Sequence, residues 1–372
     1  MKGRLLSLDV FRGLTIASMV LVNNPGAGAT TYASLLHASW NGWTFTDTVF
    51  PFFLWIAGVA MTFSFARRLD MTPGSSRGPL MLHSLKRAAS IFGVGLLLNG
   101  FPYYNLATLR IPGVLQRIAV CYLIAAAIVL YFGIRGCALS IPVLFAVYWV
   151  FMTLVPVPGF GPGVLTTEGN FSAYVDRIFL TGHMYSQTKT WDPEGIVSTL
   201  PAIASVLFGI LTGEWLRVGR SREQKPSGNE KALWMLAAGG ILIVAGYVMN
   251  IWMPINKNLW TPSYTALMAG LALVVFSACY WTIDVKGWKS WSRPFAIYGS
   301  NAIVLYALSG LLARLLSLIK FDGATLKSLV YQNVFVPLAS PYSASLLFAL
   351  SNVAIVYLAA WAMYRKQWYV RL

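Results

Sequence analysis

Along almost the whole chain, apolar residues fall in runs close to twenty long, separated by short polar clusters. A helix rises about 1.5 Å per residue, so ~20 apolar residues cross the ~30 Å hydrocarbon core of a bilayer. The runs lie at roughly 5–24, 46–66, 86–100, 111–133, 138–157, 196–216, 232–251, 262–283, 294–319 and 343–364. They predict an all-α, polytopic integral membrane protein of about ten transmembrane helices, with 1–372 as one transmembrane domain. The third run is short and is expected to tilt or to extend into the loop after it. No internal repeat or low-complexity tract emerges.

Composition supports this reading. Of 372 residues, 57% are hydrophobic and 11% charged, against about 25% charged in soluble domains. There are too few charges to cover a surface facing water. The charges are also unevenly placed. With the N-terminus in the cytoplasm, the inner pieces are MKGR, RRLDMTPGSSRGPLMLHSLKR, IRG, RVGRSREQKPSGNEK, DVKGWKSWSR and YRKQWYVRL, which hold most of the Lys and Arg. The opposite loops hold only Arg110, Arg177, Lys189, Lys257, Lys320 and Lys327. Cationic residues gather on the cytoplasmic side, so the expected orientation is N-in and C-in. The same rule explains the net charge of +16 with lipid, and no nucleic acid, as the partner. Residues 220–231 read as a flexible cytoplasmic loop and 158–195 as a long external one. The first apolar run, broken by Asp9 and Arg12, has no small-residue cleavage site and does not read as a removable leader. Cys121, Cys137 and Cys279 show no metal spacing and read as small packing residues.

Polar residues at bilayer depth are the candidates for chemistry, because each costs about 2.5–3.5 kcal/mol to insert at the centre of a span. Asp9 and Arg12 lie three apart on one face of the first helix, as a structural ion pair or a functional one. Asn23 and Asn24 end that helix before a Pro-Gly turn, either as a stop or with Asn23 turned toward His37. Arg110 precedes a Pro-Gly turn, and Arg117 lies inside the next span, snorkelling or facing a buried anion. His183, Asp192 and Glu194 share the longest external loop. Two histidines in separate loops near carboxylates do not form a diagnostic metal pattern, and no metal is expected. His37 sits at the outer mouth of the second span. A neutral imidazole is the usual base or nucleophile near neutral pH. Asp47, ten residues on, is placed to orient it. Trp40 and Trp43 offer flat surface for a sugar ring, and Asn41 and Asp47 offer partners for hydroxyls.

The strings FRGLTIASMVLVNN, LLHASWNGWTFTDTVFPFFLWIAGVAM, RIPGVLQRIAVCYLIA, GHMYSQTKTWDPEGI, MPINKNLWTPSY and YGSNAIVLYALSG occur in order. Together they resemble the heparan-α-glucosaminide N-acetyltransferase family, over nearly the whole chain. The resemblance implies acetyl transfer from cytosolic acetyl-CoA to the amine of a glucosamine-type sugar across the membrane. It implies that His37 is the active histidine, with Asn23 as the nearby asparagine, and that the protein is a homodimer; Asp47 joins them as a catalytic candidate from its own place ten residues after His37. The turn after Asn23 is longer here than in the family. The chain looks like a bacterial member, which places it in the inner membrane. Under this reading Arg4, Arg12, Arg117, Asn301 and Asn256 are candidates for holding acetyl-CoA. Trp40, Asn41, His183, Asp192, Glu194 and Asn258 are candidates for the amino sugar. Two rival functions fit the residues: an amino-sugar transporter, which suits polar groups at depth and broken helices, and an O-acyltransferase acting on envelope polysaccharide.

Overall fold

A computed structural model describes residues 5–71, 77–218 and 226–370. Among the described residues the chain is all-α apart from a hairpin of two-residue strands pairing Lys320–Phe321 with Ala324–Thr325. The long helices are α1 (Leu6–Asn23), α2 (Phe45–Met71), α3 (Arg77–Gly100) and α4 (Val114–Thr153). After a short α5 (Phe171–Phe179) come α6 (Thr199–Arg217), α7 (Gly228–Met249) and α8 (Pro262–Tyr280). The last group is α9 (Arg293–Gly299), α10 (Ala302–Leu318), α11 (Leu326–Val330) and α12 (Pro341–Arg365).

Among the described residues, eight helices are long and apolar enough to cross a membrane; α9 and α10, bent by 73°, add a ninth if the pair is one span. The protein is therefore a polytopic helical membrane protein. The expected runs 111–133 and 138–157 are joined in α4, whose 40 residues would reach about 60 Å if straight, twice the hydrocarbon thickness. Gly133, at φ 67° and ψ −165°, breaks that length near its middle, a conformation open to glycine and strained for other residues. The third helix lengthens in the direction opposite to that expected: α3 begins at Arg77, not near 86, with Pro79 in its first turn where a missing N–H is tolerated. In the loop expected over 220–231, residues 220–225 lie outside the described ones. Ser227 caps α7 reciprocally with Glu230, so 228–231 already form its first turn.

The described residues fall into two compact units. The first holds 5–38, 43–49 and 278–370; the second holds 39–42 and 50–277. In the first, α1 lies directly against α9. A Cβ on Gly13 would stand 1.8 Å from the Phe295 carbonyl oxygen, and one on Gly299 would stand 1.9 Å from that of Asp9. In the second, α2 and α6 meet the same way, with Gly58 against the Val206 carbonyl and Gly209 against that of Trp55. Backbone-to-backbone approach through small residues is how helices gain dispersion contact where lipid removes the hydrophobic drive.

Candidate functional site

The sequence HASWNG is divided between the two units: His37 belongs to the first, and Trp40, Asn41 and Gly42 to the second. In the first unit the segment from Asn24 to Ala38 is tied down by side chains. The Asn24 amide donates to Val20 O at 2.7 Å and Ser309 Oγ at 3.1 Å, and Ala27 N donates to Ser345 Oγ. Asn24 is buried, whereas Asn23 ends α1 exposed. Which of two adjacent asparagines turns inward depends on where the helix stops, which the sequence did not settle.

His37 is held by the start of α2. In Thr44-Phe45-Thr46-Asp47, Asp47 sits in the first turn, where its carboxylate accepts the orphan Thr44 N–H at 3.0 Å. This is the reciprocal arm of a capping box, and negative charge there is also favoured by the helix dipole. The same carboxylate oxygen accepts Ala38 N–H at 3.0 Å and Thr44 Oγ–H at 3.2 Å. The other oxygen, Oδ1, lies 2.6 Å from His37 Nδ1. Asp47 is fully buried, while the His37 side chain is 52% exposed. A carboxylate only accepts, so Nδ1 carries the proton and donates it to Asp47. That fixes the tautomer and makes Nε2 the basic ring nitrogen. Sequence reasoning paired His37 with Asp47 but passed over Thr44, although the spacing T-x-x-D before an apolar run was a capping signal in plain view.

In the second unit several segments between the helices are knitted together. Trp40 Nε1–H donates to Leu165 O at 2.9 Å, and its ring meets Trp191 edge-on with centroids 5.2 Å apart. Trp40 also packs against a core of Tyr148, Met152, Val197, Met253 and Leu259, so only part of its surface is open. Gly42, at φ 95°, donates its N–H to Ile255 O at 2.7 Å. The exposed Asn41 accepts from the Asn256 amide at 3.1 Å, while Asn256, fully buried, also accepts Leu259 N–H. Asn258 lies half-buried in the same loop.

The loop 192–195 is organised by two arginines. Arg110 makes a two-pronged contact with Asp192 (Nε to Oδ2 2.9 Å, Nη2 to Oδ1 2.6 Å) and reaches Glu194 Oε2 at 2.5 Å, with its plane over Tyr185. Burial alone would lower the Arg110 pKa, but the hydrogen bonds and charges of Asp192 and Glu194 outweigh it and hold the group firmly cationic. Arg117, only 3% exposed, donates to Pro193 O, Gly195 O and Ser198 Oγ and lies over the Trp260 ring. Asp176 accepts Asp192 N–H and Ile196 N–H, and Gly195 passes so close that a Cβ would fall 2.1 Å from its carboxylate. Burial nevertheless pushes the Asp176 pKa up to about 6, the backbone N–H groups only partly opposing it. His183 Nδ1–H donates to Leu109 O at 2.8 Å. So Arg110, Arg117, Asp192 and Glu194 come together in one buried network, with Asp176 and Ser198, which sequence reasoning had not singled out.

In the first unit, Arg12 Nη1 donates to Asp9 Oδ1 at 3.2 Å and to Gly299 O at 3.4 Å. Two residues beyond Gly299, the buried Asn301 amide donates to Trp368 O and accepts Val370 N–H, both at 2.9 Å, fixing the segment after α12. Arg4 lies outside the described residues. Among the described residues, no cluster of three or more His, Cys, Asp or Glu is placed to hold a metal ion.

A family model described as "Heparan-alpha-glucosaminide N-acetyltransferase, catalytic" matches residues 4–251. The heparan-alpha-glucosaminide N-acetyltransferase of Mus musculus is 30% identical over 355 residues, 82% of this chain and 53% of that protein. The one of Homo sapiens is 30% identical over 354 residues, again 82% of this chain and 52% of its own length. The chain thus spans about half the length of these relatives.

Proposed function

The chain belongs to the heparan-α-glucosaminide N-acetyltransferase family, and from that premise we propose that it passes acetyl from cytosolic acetyl-CoA to the amine of a glucosamine-type sugar on the far side of the membrane. The observation that carries this reading is the His37–Asp47 dyad: a half-exposed imidazole whose Nδ1 is 2.6 Å from a fully buried carboxylate. A ring whose tautomer is fixed by a buried carboxylate suits removal of a proton from an acceptor ammonium.

The chemistry follows from which nitrogen is basic. The acceptor reaches the site as an ammonium ion and gives one proton to His37 Nε2. The free amine attacks the thioester carbonyl carbon, forming the C–N bond. As the tetrahedral intermediate collapses, the C–S bond breaks and the sulfur leaves with the second nitrogen proton, giving CoA thiol and the amide. Asp47 stays a carboxylate throughout, holding the ring and stabilising its cationic form; such a base contributes about 10²–10⁴-fold. Direct attack is favoured over an acetyl-imidazole intermediate, which water would hydrolyse at a half-exposed ring.

The basic face of the orientation set out above suits the phosphates of acetyl-CoA, which lipid excludes. We place the protein in a bacterial inner membrane as a homodimer. The test is catalytic and needs no sealed membrane: purified protein in detergent, given acetyl-CoA and glucosamine, releases CoA thiol and forms N-acetylglucosamine. CoA release with hydroxyl acceptors that lack an amine would favour an O-acyltransferase instead, and no release at all would leave a transporter. Radiolabelled acetyl trapped on His37 without sugar would replace direct attack by a two-step route.

A further inference from the structure

Two peptide planes meet at the Cα of His37. They are joined by two soft backbone dihedrals alone, so groups that hold both planes fix where the imidazole starts. The plane between His37 and Ala38 is held by Asp47, whose Oδ2 accepts Ala38 N–H at 3.0 Å. The plane between Leu36 and His37 is held by Thr44, whose Oγ–H donates to Leu36 O at 2.5 Å. With both planes set, the ring keeps only its side-chain torsions, and Asp47 Oδ1, 2.6 Å from Nδ1, constrains those. A longer contact runs beside them, from Thr46 Oγ to Ser34 O at 3.5 Å. All of these residues belong to the first unit.

The simpler account of Thr44 is a helix cap. A threonine just before a helix normally turns its hydroxyl oxygen to the N–H of the third helical residue. Here that N–H, on Asp47, goes to the main-chain carbonyl of Thr44 at 3.1 Å. The reciprocal arm is present, since Asp47 accepts Thr44 N–H at 3.0 Å, but it uses the Thr44 backbone and needs no hydroxyl. A threonine hydroxyl has one hydrogen to give. It lies 2.5 Å from Leu36 O and 3.2 Å from Asp47 Oδ2, so the shorter contact, to the segment that carries His37, holds most of it. Leu36 is 42% exposed, and the contact rescues no stranded carbonyl. What it adds is a fixed position for the peptide beside His37.

We infer that Thr44 is a positioning residue for acetyl transfer: through Leu36 O it fixes the peptide that carries His37, and so keeps Nε2 aimed at the acceptor while Asp47 keeps that nitrogen basic. The inference rests on the reading of His37 as the base. Thr44 acts through His37 and takes no proton itself. Small displacements of a catalytic group are costly in rate because reaction needs the reacting atoms within a few tenths of an ångström of their productive places.

Thr44→Val keeps the branched shape and removes the hydroxyl, whereas Thr44→Ser keeps the hydroxyl and removes the methyl. Each full-length variant is purified in detergent, and CoA thiol release is measured with acetyl-CoA and glucosamine. We expect kcat about tenfold lower in Thr44→Val and within about twofold of the parent in Thr44→Ser, with KM for acetyl-CoA and the thermal midpoint near the parent in both. A second readout needs no turnover. Diethyl pyrocarbonate acylates the basic nitrogen of an exposed imidazole, and peptide mass spectrometry separates His37 from His83 and His183. A ring that donates to a carboxylate is the more basic one, so His37 is modified more slowly in Thr44→Val and at the parent rate in Thr44→Ser. Parent kcat and parent modification rate in Thr44→Val would overturn the inference, and so would equal losses in Thr44→Val and Thr44→Ser. Loss of the folded protein in Thr44→Val and Thr44→Ala alike would make Thr44 a helix cap and overturn it as well. If the parent itself transfers no acetyl, the functional reading falls, and the modification rates alone decide whether Thr44 positions His37.

Discussion

Replacing Asp47 by Asn keeps the shape of the dyad and changes one proton. In the parent, Asp47 Oδ2 accepts from Ala38 N, Thr44 N and Thr44 Oγ, and Oδ1 accepts from His37 Nδ1. An asparagine has one acceptor oxygen. The two backbone N–H groups claim it, since they have no other tautomer to offer, and α2 stays capped. The amide NH₂ then faces His37 and presents a donor to Nδ1. The ring answers by moving its proton to Nε2, where the acceptor ammonium must be deprotonated. Base catalysis of about 10²–10⁴-fold is lost, which is about 2.7–5.5 kcal/mol of barrier. The analogous Asp-to-Asn change in the serine-protease triad lowers kcat by about 10⁴ through the same wrong tautomer. The assay is CoA thiol release from purified protein across pH, with glucosamine as acceptor. We expect kcat to fall by at least a hundredfold while acetyl-CoA affinity and the thermal midpoint stay close to the parent. An Asp47→Asn enzyme within about threefold of the parent, with an unshifted pH profile, would refute the dyad.

Other perturbations follow from the same geometry. His37→Ala should lose a comparable 10²–10⁴-fold in rate with acetyl-CoA binding intact by calorimetry. Arg110→Gln strands the Asp192 and Glu194 carboxylates, and breaking a buried pair costs about 3–5 kcal/mol, visible as a lowered thermal midpoint. Asp176 has its carboxyl raised by burial from 3.8 to about 6, so the native state binds its proton more tightly than the unfolded chain. Its stability contribution is therefore present below pH 3.8 and lost as pH rises to about 6, worth about 3 kcal/mol at most; Asp176→Asn should flatten that slope in thermal melts. Gly13→Val would drive a side chain into the Phe295 carbonyl and should lower the yield and midpoint of folded protein by more than the usual 1–3 kcal/mol of overpacking.

The spans were legible because lipid imposes a length on apolar runs. Their exact ends were not. Arg77 to Arg87 looked like loop because it is basic, yet long cationic side chains reach headgroups from a helix, and α3 simply continues through them. The break in α4 turned on the φ of Gly133 alone, which composition does not announce. The dyad was partly legible, because a carboxylate in the first turn of a helix and a histidine just before it must lie close. The Arg110 contacts with Asp192 and Glu194 span 82 and 84 residues. Asp192 and Glu194 read as neighbours in one loop and Arg110 as part of a separate turn, and only the packing of the segment before α4 against the loop 192–195 shows them as a single network. Asn301 read as a candidate amide for holding acetyl-CoA inside one continuous span; its contacts run to Trp368 and Val370, partners far along the chain, with no periodicity to reveal them.

The most direct test of the whole account separates the two substrates. Protein is reconstituted in vesicles with acetyl-CoA confined to the side of its basic loops and glucosamine to the other. The account predicts that N-acetylglucosamine accumulates only with the sugar, that CoA thiol appears only with the coenzyme, and that neither parent molecule crosses. Acetylation only when both substrates share one side, or passage of unmodified glucosamine through the bilayer, would contradict it.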